Sequence, residues 1–207
     1  EKGSALTIDT AIFNLKNGTI ISDDELNWGL FYLPNSLIYI ENITFANITS
    51  NYSNVIYSTN TSGKIRNCDF INLTALKTGG AIGIYSPSGD INIENCNFIN
   101  VKSLKNGGAI YAEADNNLKG INIVNTTFIN CNSKFGGVIL QLNGKLNIEE
   151  SKFINNNAGV SAGAIYTSLT DLNLKNSEFI RSASQLYYFI DKIKIQKRQE
   201  KIATMLF

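Results

Sequence analysis

An eight-residue phrase, apolar-x-apolar-x-Asn-small-x-Phe, returns seven times along this chain: LTIDTAIF (6–13), IYIENITF (38–45), GKIRNCDF (63–70), INIENCNF (91–98), INIVNTTF (121–128), LNIEESKF (146–153) and LNLKNSEF (172–179). The phenylalanines that close it, Phe13, Phe45, Phe70, Phe98, Phe128, Phe153 and Phe179, stand 32, 25, 28, 30, 25 and 26 residues apart. A second phrase keeps the same step: GGAI at 79–82 and 107–110, GGVI at 136–139 and AGAI at 162–165. A period of this size marks units that cannot bury their apolar edges alone and must stack on their neighbours. Short runs such as Ile91/Ile93 and Leu172/Leu174 alternate at period two, and no stretch carries the helical period of a crossover helix.

These features predict an all-β chain coiled as a parallel β-helix of about seven turns, with neighbouring turns paired about 4.8 Å apart. Equivalent residues then stand above one another, so the phenylalanines are expected to form one internal file beside Ile8, Ile40, Ile65, Ile93, Ile123, Ile148 and Leu174. Asparagine fills the fifth place at Asn42, Asn67, Asn95, Asn125 and Asn176, with Thr10 and Glu150 as exceptions. It returns two places after Phe at Asn47, Asn72, Asn100, Asn130 and Asn155. Asn tolerates left-handed backbone and its amide both donates and accepts, so these columns are expected at the corners of stacked turns. Gly79, Gly80, Gly107, Gly108, Gly136, Gly137 and Gly163 allow a tight bend or close packing. Ile71, Ile99, Ile129, Ile154 and Ile180 follow Phe directly, and adjacent strand residues cannot both face inward. Either that column is exposed or the chain turns there.

The repeat domain is expected over 1–186, with a non-repeat basic cap or tail over 187–207, part strand and part amphipathic helix. The tail holds five Lys or Arg against two acids, leaving the body near −2 within a total of +1. No basic stripe interleaved with stacking aromatics is readable on the body, so no nucleic-acid partner is expected. The chain does not start with Met and shows no signal-peptide pattern, as a mature form or an excised piece would. No run of eighteen apolar residues is present to span a membrane as a helix.

Catalytic, cofactor and metal sites are all expected to be absent. Histidine is missing, which removes the commonest general base, and Asp69, Asp90, Asp115 and Asp171 occupy unrelated places in the repeat. The acidic run Asp23, Asp24 and Glu25 lies beside Trp28; it reads as a solvated loop, or as a site for a cation or a sugar against the indole. Cys68 and Cys96 share the sixth place of consecutive turns and read as a buried thiol stack, with a disulfide as the alternative; Cys131 stands apart. Seven sequons occur, at Asn17, Asn42, Asn47, Asn51, Asn60, Asn72 and Asn125. Four fall in the corner columns, taken as buried, which leaves Asn17, Asn51 and Asn60 free for a glycan. Tyr111 and Tyr166 read as packing residues, with a glycan-binding face as the other reading.

With these motifs laid out, the chain resembles the polymorphic outer membrane protein repeat family of chlamydial and protist surface proteins. Its marks are GGA followed by Ile, Leu or Val, and Phe-x-x-Asn. Gly79 to Ile82 and Gly107 to Ile110 match the first fully; Val138 and Ala162 depart singly; Phe153 to Asn156 matches the second. The resemblance covers about residues 38–185, with a weaker copy at 6–13. It implies a single-stranded right-handed β-helix of the pectin-lyase type. It also implies an extracellular, cell-surface or outer-membrane protein that contacts a host or neighbouring cell through a surface protein or glycan. The expected function is a non-enzymatic adhesin or display scaffold, with the loops 85–90 and 113–120 as docking places. The alternatives are a polysaccharide lyase or hydrolase, or a glycan-binding module.

Overall fold

The computed structural model describes residues 4–22, 25–53, 55–115 and 119–184, together with the backbone of the strands Lys192–Ile195, Arg198–Gln199 and Met205–Leu206. Among the described residues there is no helix, and the chain winds as a parallel β-solenoid of about seven turns. Each turn contributes to three faces. The first face stacks Leu6–Thr7, Phe31–Pro34, Ile56–Thr59, Ile82–Tyr85, Ile110–Glu113, Ile139–Leu142 and Ile165–Ser168, in that order. The second stacks Ser62–Arg66, Ile91–Glu94, Gly120–Val124, Lys145–Glu149 and Asp171–Lys175. The third stacks Asp69–Ala75, Asn97–Ser103, Thr127–Ile129, Lys152–Ile154 and Ser177–Ile180. In the two opening turns the second and third faces run together as Ile12–Ile21 and Leu37–Ala46, bent at Asn17 and Asn42.

The core is a file of stacked rings. Phe45, Phe70, Phe98, Phe128, Phe153 and Phe179 pair in register, with successive centroids 5.2, 4.5, 4.8, 4.9 and 4.6 Å apart. Beside them runs the aliphatic file Ile40, Ile65, Ile93, Ile123, Ile148 and Leu174. Burial of each large apolar side chain stabilises by about 1.5–3 kcal/mol, and each aromatic pair adds about 0.5–1.5 kcal/mol.

Phe13 is not a member of this file, which corrects the sequence reading. It pairs with Ile38, and Ile20 takes the place opposite Phe45. The first copy is therefore FNLKNGTI (13–20), and Leu15 rather than Ile8 heads the aliphatic file. The physical reason is the corner: Asn17 has φ 57° and Asn42 has φ 55°, and the Asn42 amide donates to Asn17 Oδ1 at 2.9 Å. A left-handed residue fixes where the chain bends, and that outweighs a chance match of alternating apolar residues. The first step becomes 25 residues, within the range of the others.

All ten expected corner asparagines have left-handed backbone, with φ between 46° and 57°. Their amides form ladders: Asn67 donates to Asn42, Asn95 to Asn67 and Asn125 to Asn95, at 3.1, 3.2 and 2.9 Å. Two places after Phe, Asn72 donates to Asn47, Asn100 to Asn72 and Asn130 to Asn100. These side chains are exposed, not buried, so the ladders run along the outside. The left-handed residue also settles the isoleucine column. Ile99 faces out beside Asn100, the alternation breaks, and Val101 faces in; Ile71, Ile129, Ile154 and Ile180 are likewise half-buried outside. Asn95→Leu loses two ladder bonds and places a side chain without local hydrogen bonding in left-handed backbone; about 1–2 kcal/mol of stability is expected to go. Asn97→Ser loses one exposed bond to Asp69 and is expected to stay within about 0.5 kcal/mol. Thermal melts of the two variants check the difference.

The Gly pairs divide the work. Gly107 takes φ 61°, and a Cβ on Gly108 would overlap the carbonyl oxygen of Gly137 in the next turn. At the far end, Lys192–Ile195 and Arg198–Gln199 lie antiparallel on Ser177–Ile180 and Asp171–Lys175, and Met205–Leu206 lies antiparallel on Ile165–Ser168. These strands cover the otherwise unpaired edges of the last turn. The amphipathic helix expected in the tail is not among its described residues, which are strand.

Candidate ligand-binding corner

The Asn ladders and the core account for most of the repeat, and the remaining chemistry gathers on one side. On the outer surface of the first face, Tyr32 and Tyr57 pair in register, with ring centroids 5.2 Å apart. The next place is Gly83, whose missing side chain leaves room for the Ser53 hydroxyl, with the Tyr85 ring alongside. The ring series continues through it, Tyr57 to Tyr85 at 5.1 Å and Tyr85 to Tyr111 at 5.3 Å. Tyr85 Oη meets Thr78 Oγ1 at 3.0 Å, and Tyr111 donates to Glu113 Oε2 at 2.9 Å. Burial among neighbouring rings pushes the Tyr57 phenol up to about 12, and burial likewise raises Tyr85 and Tyr111. Tyr111 is only 7% exposed, so it packs rather than presents itself; Tyr166 is half-buried farther along the same column.

The corner leading into this face carries a second column. Strand Glu25–Leu26 pairs with Thr49–Ser50, and Thr49–Ser50 with the end of Asp69–Ala75, which sets Trp28, Tyr52 and Lys77 in equivalent places. The indole of Trp28 stacks on Tyr52 at 4.1 Å, and Lys77 Nζ sits 3.6 Å from the Tyr52 centroid on the same column. Bridges Thr78–Asn106 and Asn106–Phe135 extend the column through Lys105 and Lys134. The Lys105 amide bonds Lys77 O, and the Lys134 amide bonds Lys105 O. The Asn51 amide donates to Asn27 at 3.1 Å just beside it. Asn27, Trp28, Asn51, Tyr52, Leu76, Lys77 and Lys105 line an open groove of about 640 Å³. Trp28 is 38% and Leu104 47% exposed, and Lys105 and Lys134 are both exposed.

Rings and lysines share this column without interleaving, two stacked rings at one end and three lysines after them. The lysines recur in the sequence as Lys-x-Gly-Gly at 77–80, 105–108 and 134–137, whereas Trp28 and Tyr52 stand in turns without that Gly pair. The Tyr column left a fainter trace: Tyr32 and Tyr57 follow an inward apolar residue as Tyr111 and Tyr166 do, Tyr32 after the single glycine Gly29 and Tyr57 after none.

The second face treats charge differently. Lys16, Glu41 and Arg66 occupy successive turns with alternating sign; Glu41 accepts from Arg66 at 2.7 Å and forms a looser ion pair with Lys16 at 3.6 Å. The Arg66 guanidinium holds the Glu41 carboxyl below its ordinary value. Lys64 pairs with Glu94 at 2.8 Å, and Lys175 pairs with Glu149. A further Asn ladder lies here, with Asn122 donating to Asn92, Asn147 to Asn122 and Asn173 to Asn147 at 2.9, 2.7 and 2.8 Å.

The other expected candidates are dispersed. Asp69 accepts from Asn97, Asp90 from the Gly120 amide and Asp115 from Ser86, so each ties one turn to the next, while Asp171 opens a strand of the second face. Two of those bonds join the loops 85–90 and 113–120; residues 116–118 lie outside the described residues, as do Asp23 and Asp24. Glu25 is exposed at the aromatic end of the corner. Cys68, Cys96 and Cys131 are free and buried. The hydrogen bond with Cys68, together with burial, holds the Cys96 thiol protonated, and burial pushes Cys131 up to about 12. Of the three sequons expected to be free, Asn51 and Asn60 use their amides in ladders, Asn60 donating to Asn35 at 2.8 Å, and Asn17 accepts from Asn42.

No protein-family model matches this chain, nor does any curated protein or solved structure.

Proposed function

We propose that this chain is a non-enzymatic, adhesin-like display scaffold of the extracellular space or cell surface, whose rigid coil presents the Trp28 corner to a ligand. The observation that carries this reading is the division of labour around the coil. Outer columns of the second and third faces are dominated by Asn ladders and paired charges, whereas stacked aromatics, lysines with no carboxylate partner among the described residues and an open groove concentrate on one corner. Stacked, in-register turns make that corner stiff, so a ligand pays little ordering cost on the protein side. The resemblance to polymorphic outer membrane protein repeats supports the surface location.

The full chain, fluorescently labelled, is expected to bind intact cells or immobilised cell-surface glycoconjugates saturably. It is expected to release no reducing ends or unsaturated products from pectin or alginate over hours. Turnover of either polymer, or absence of saturable binding to any such surface, overturns the reading. Glycan binding is the more specific form of the proposal, favoured by the exposed indole flanked by Asn27 and Asn51.

A further inference from the structure

Three lysines in one column are unusual within this coil. Where the second face stacks charged residues it alternates their sign, Lys16 against Glu41 against Arg66. The Trp28 corner instead repeats one sign in three consecutive turns, Lys77, Lys105 and Lys134, about 4.8 Å apart per turn. Among the described residues none of the three has a carboxylate partner: Lys77 lies over Tyr52 and Lys134 lies 5.6 Å from the Phe135 centroid. Like charges on successive turns raise a local positive potential, and a polyanion laid along the column is drawn to it.

Resting on the proposed function above, we infer that the column Trp28–Tyr52–Lys77–Lys105–Lys134 is a binding ridge for an acidic polysaccharide. A sugar ring lies against the exposed indole, and the carboxylates or sulfates of the following sugars meet Lys77, Lys105 and Lys134 in turn. Leu76 and the 47%-exposed Leu104 supply apolar contact along the way. Exposed Glu25 at the aromatic end sets the direction, since it disfavours an anionic group there and favours one at the lysine end. The chemistry suits a glycan better than a nucleic acid. Tyr52 is already occupied by Trp28 on one side and Lys77 on the other, leaving no series of open rings for bases to stack on.

The test uses the full chain with defined probes: an oligogalacturonate, a heparin-derived hexasaccharide, neutral dextran oligomers, phosphatidylserine vesicles and oligo-dT. Titration calorimetry is expected to show binding to at least one acidic oligosaccharide, no binding to dextran, and affinity that falls as salt rises. Lys105→Gln with Lys134→Gln should weaken it at least tenfold, the corresponding Glu pair should abolish it, and Trp28→Ala should weaken it with little change in the salt dependence. Lys105 and Lys134 are exposed, so melting temperatures of the lysine variants should remain near wild type; a double variant Lys16→Gln with Lys64→Gln on the second face should bind as wild type. Equal binding of dextran, equal or tighter binding of the vesicles or oligo-dT, or unchanged affinity in the Lys105/Lys134 variants overturns the inference. Should the chain still adhere to cells under any of those outcomes, the ridge assignment fails while the surface-binding reading stands.

Discussion

Phe98→Ala is expected to lower stability by about 3–5 kcal/mol, the range for emptying a fully buried aromatic site. Phe98 is 0% exposed and is stacked on both sides, on Phe70 at 4.5 Å and on Phe128 at 4.8 Å. Truncation removes two ring contacts and leaves a gap that the stiff turns above and below cannot close. The neighbouring Ile99 faces outward and is half-buried, so Ile99→Ala is expected to cost about 1 kcal/mol or less. In a chain of this size each kcal/mol moves the melting temperature by about 2–4 °C. The two variants should therefore separate by several degrees in a thermal melt followed by circular dichroism; equal shifts would deny the inward direction of the phenylalanine file.

Gly108→Ala is expected to be strongly destabilising for so small a substitution. A single methyl there would overlap the Gly137 carbonyl oxygen and lie 2.9 Å from the Asn132 backbone N and O, so two turns must separate to admit it. Backbone cannot rotate away as a flexible side chain can, and forced overpacking costs about 1–3 kcal/mol. Gly159 provides the comparison, because a Cβ at that position meets nothing nearer than 3.9 Å and its φ is not left-handed. Gly159→Ala should be neutral or stabilise by up to about 1 kcal/mol through the unfolded chain. Urea midpoints of the pair check this; a harmless Gly108→Ala would mean that the turns are not in close backbone contact at the Gly column.

The repeat was legible because vertical stacking forces each column toward one chemical type, and six of the seven phenylalanines and all ten corner asparagines could be placed from spacing. Phe13 was misplaced because its phrase satisfies the apolar alternation while lacking the corner. Asn17, already visible as a sequon, held the correct phase. The ladder Asn92, Asn122, Asn147 and Asn173 went unread because an outward place in a strand has no left-handed backbone to mark it. The corner of Trp28, Tyr52 and three lysines was illegible for a different reason. Its three lysines do repeat, as Lys-x-Gly-Gly from Lys77, Lys105 and Lys134, but Trp28 and Tyr52 stand in turns without that Gly pair, and only the strand register joins them to the lysines.

Every feature of the coil depends on the registry of its turns, which ring-to-ring nuclear Overhauser effects with selectively labelled phenylalanine report. Cross-peaks are predicted between Phe45 and Phe70, Phe70 and Phe98, Phe98 and Phe128, Phe128 and Phe153, and Phe153 and Phe179, each assigned by single Phe→Leu replacement. Phe13 should show a ring contact to Phe31, 5.1 Å away, and none to Phe70. Absence of this chain of contacts, or contacts that skip a turn or join Phe13 to the file in place of Ile20, would contradict the account.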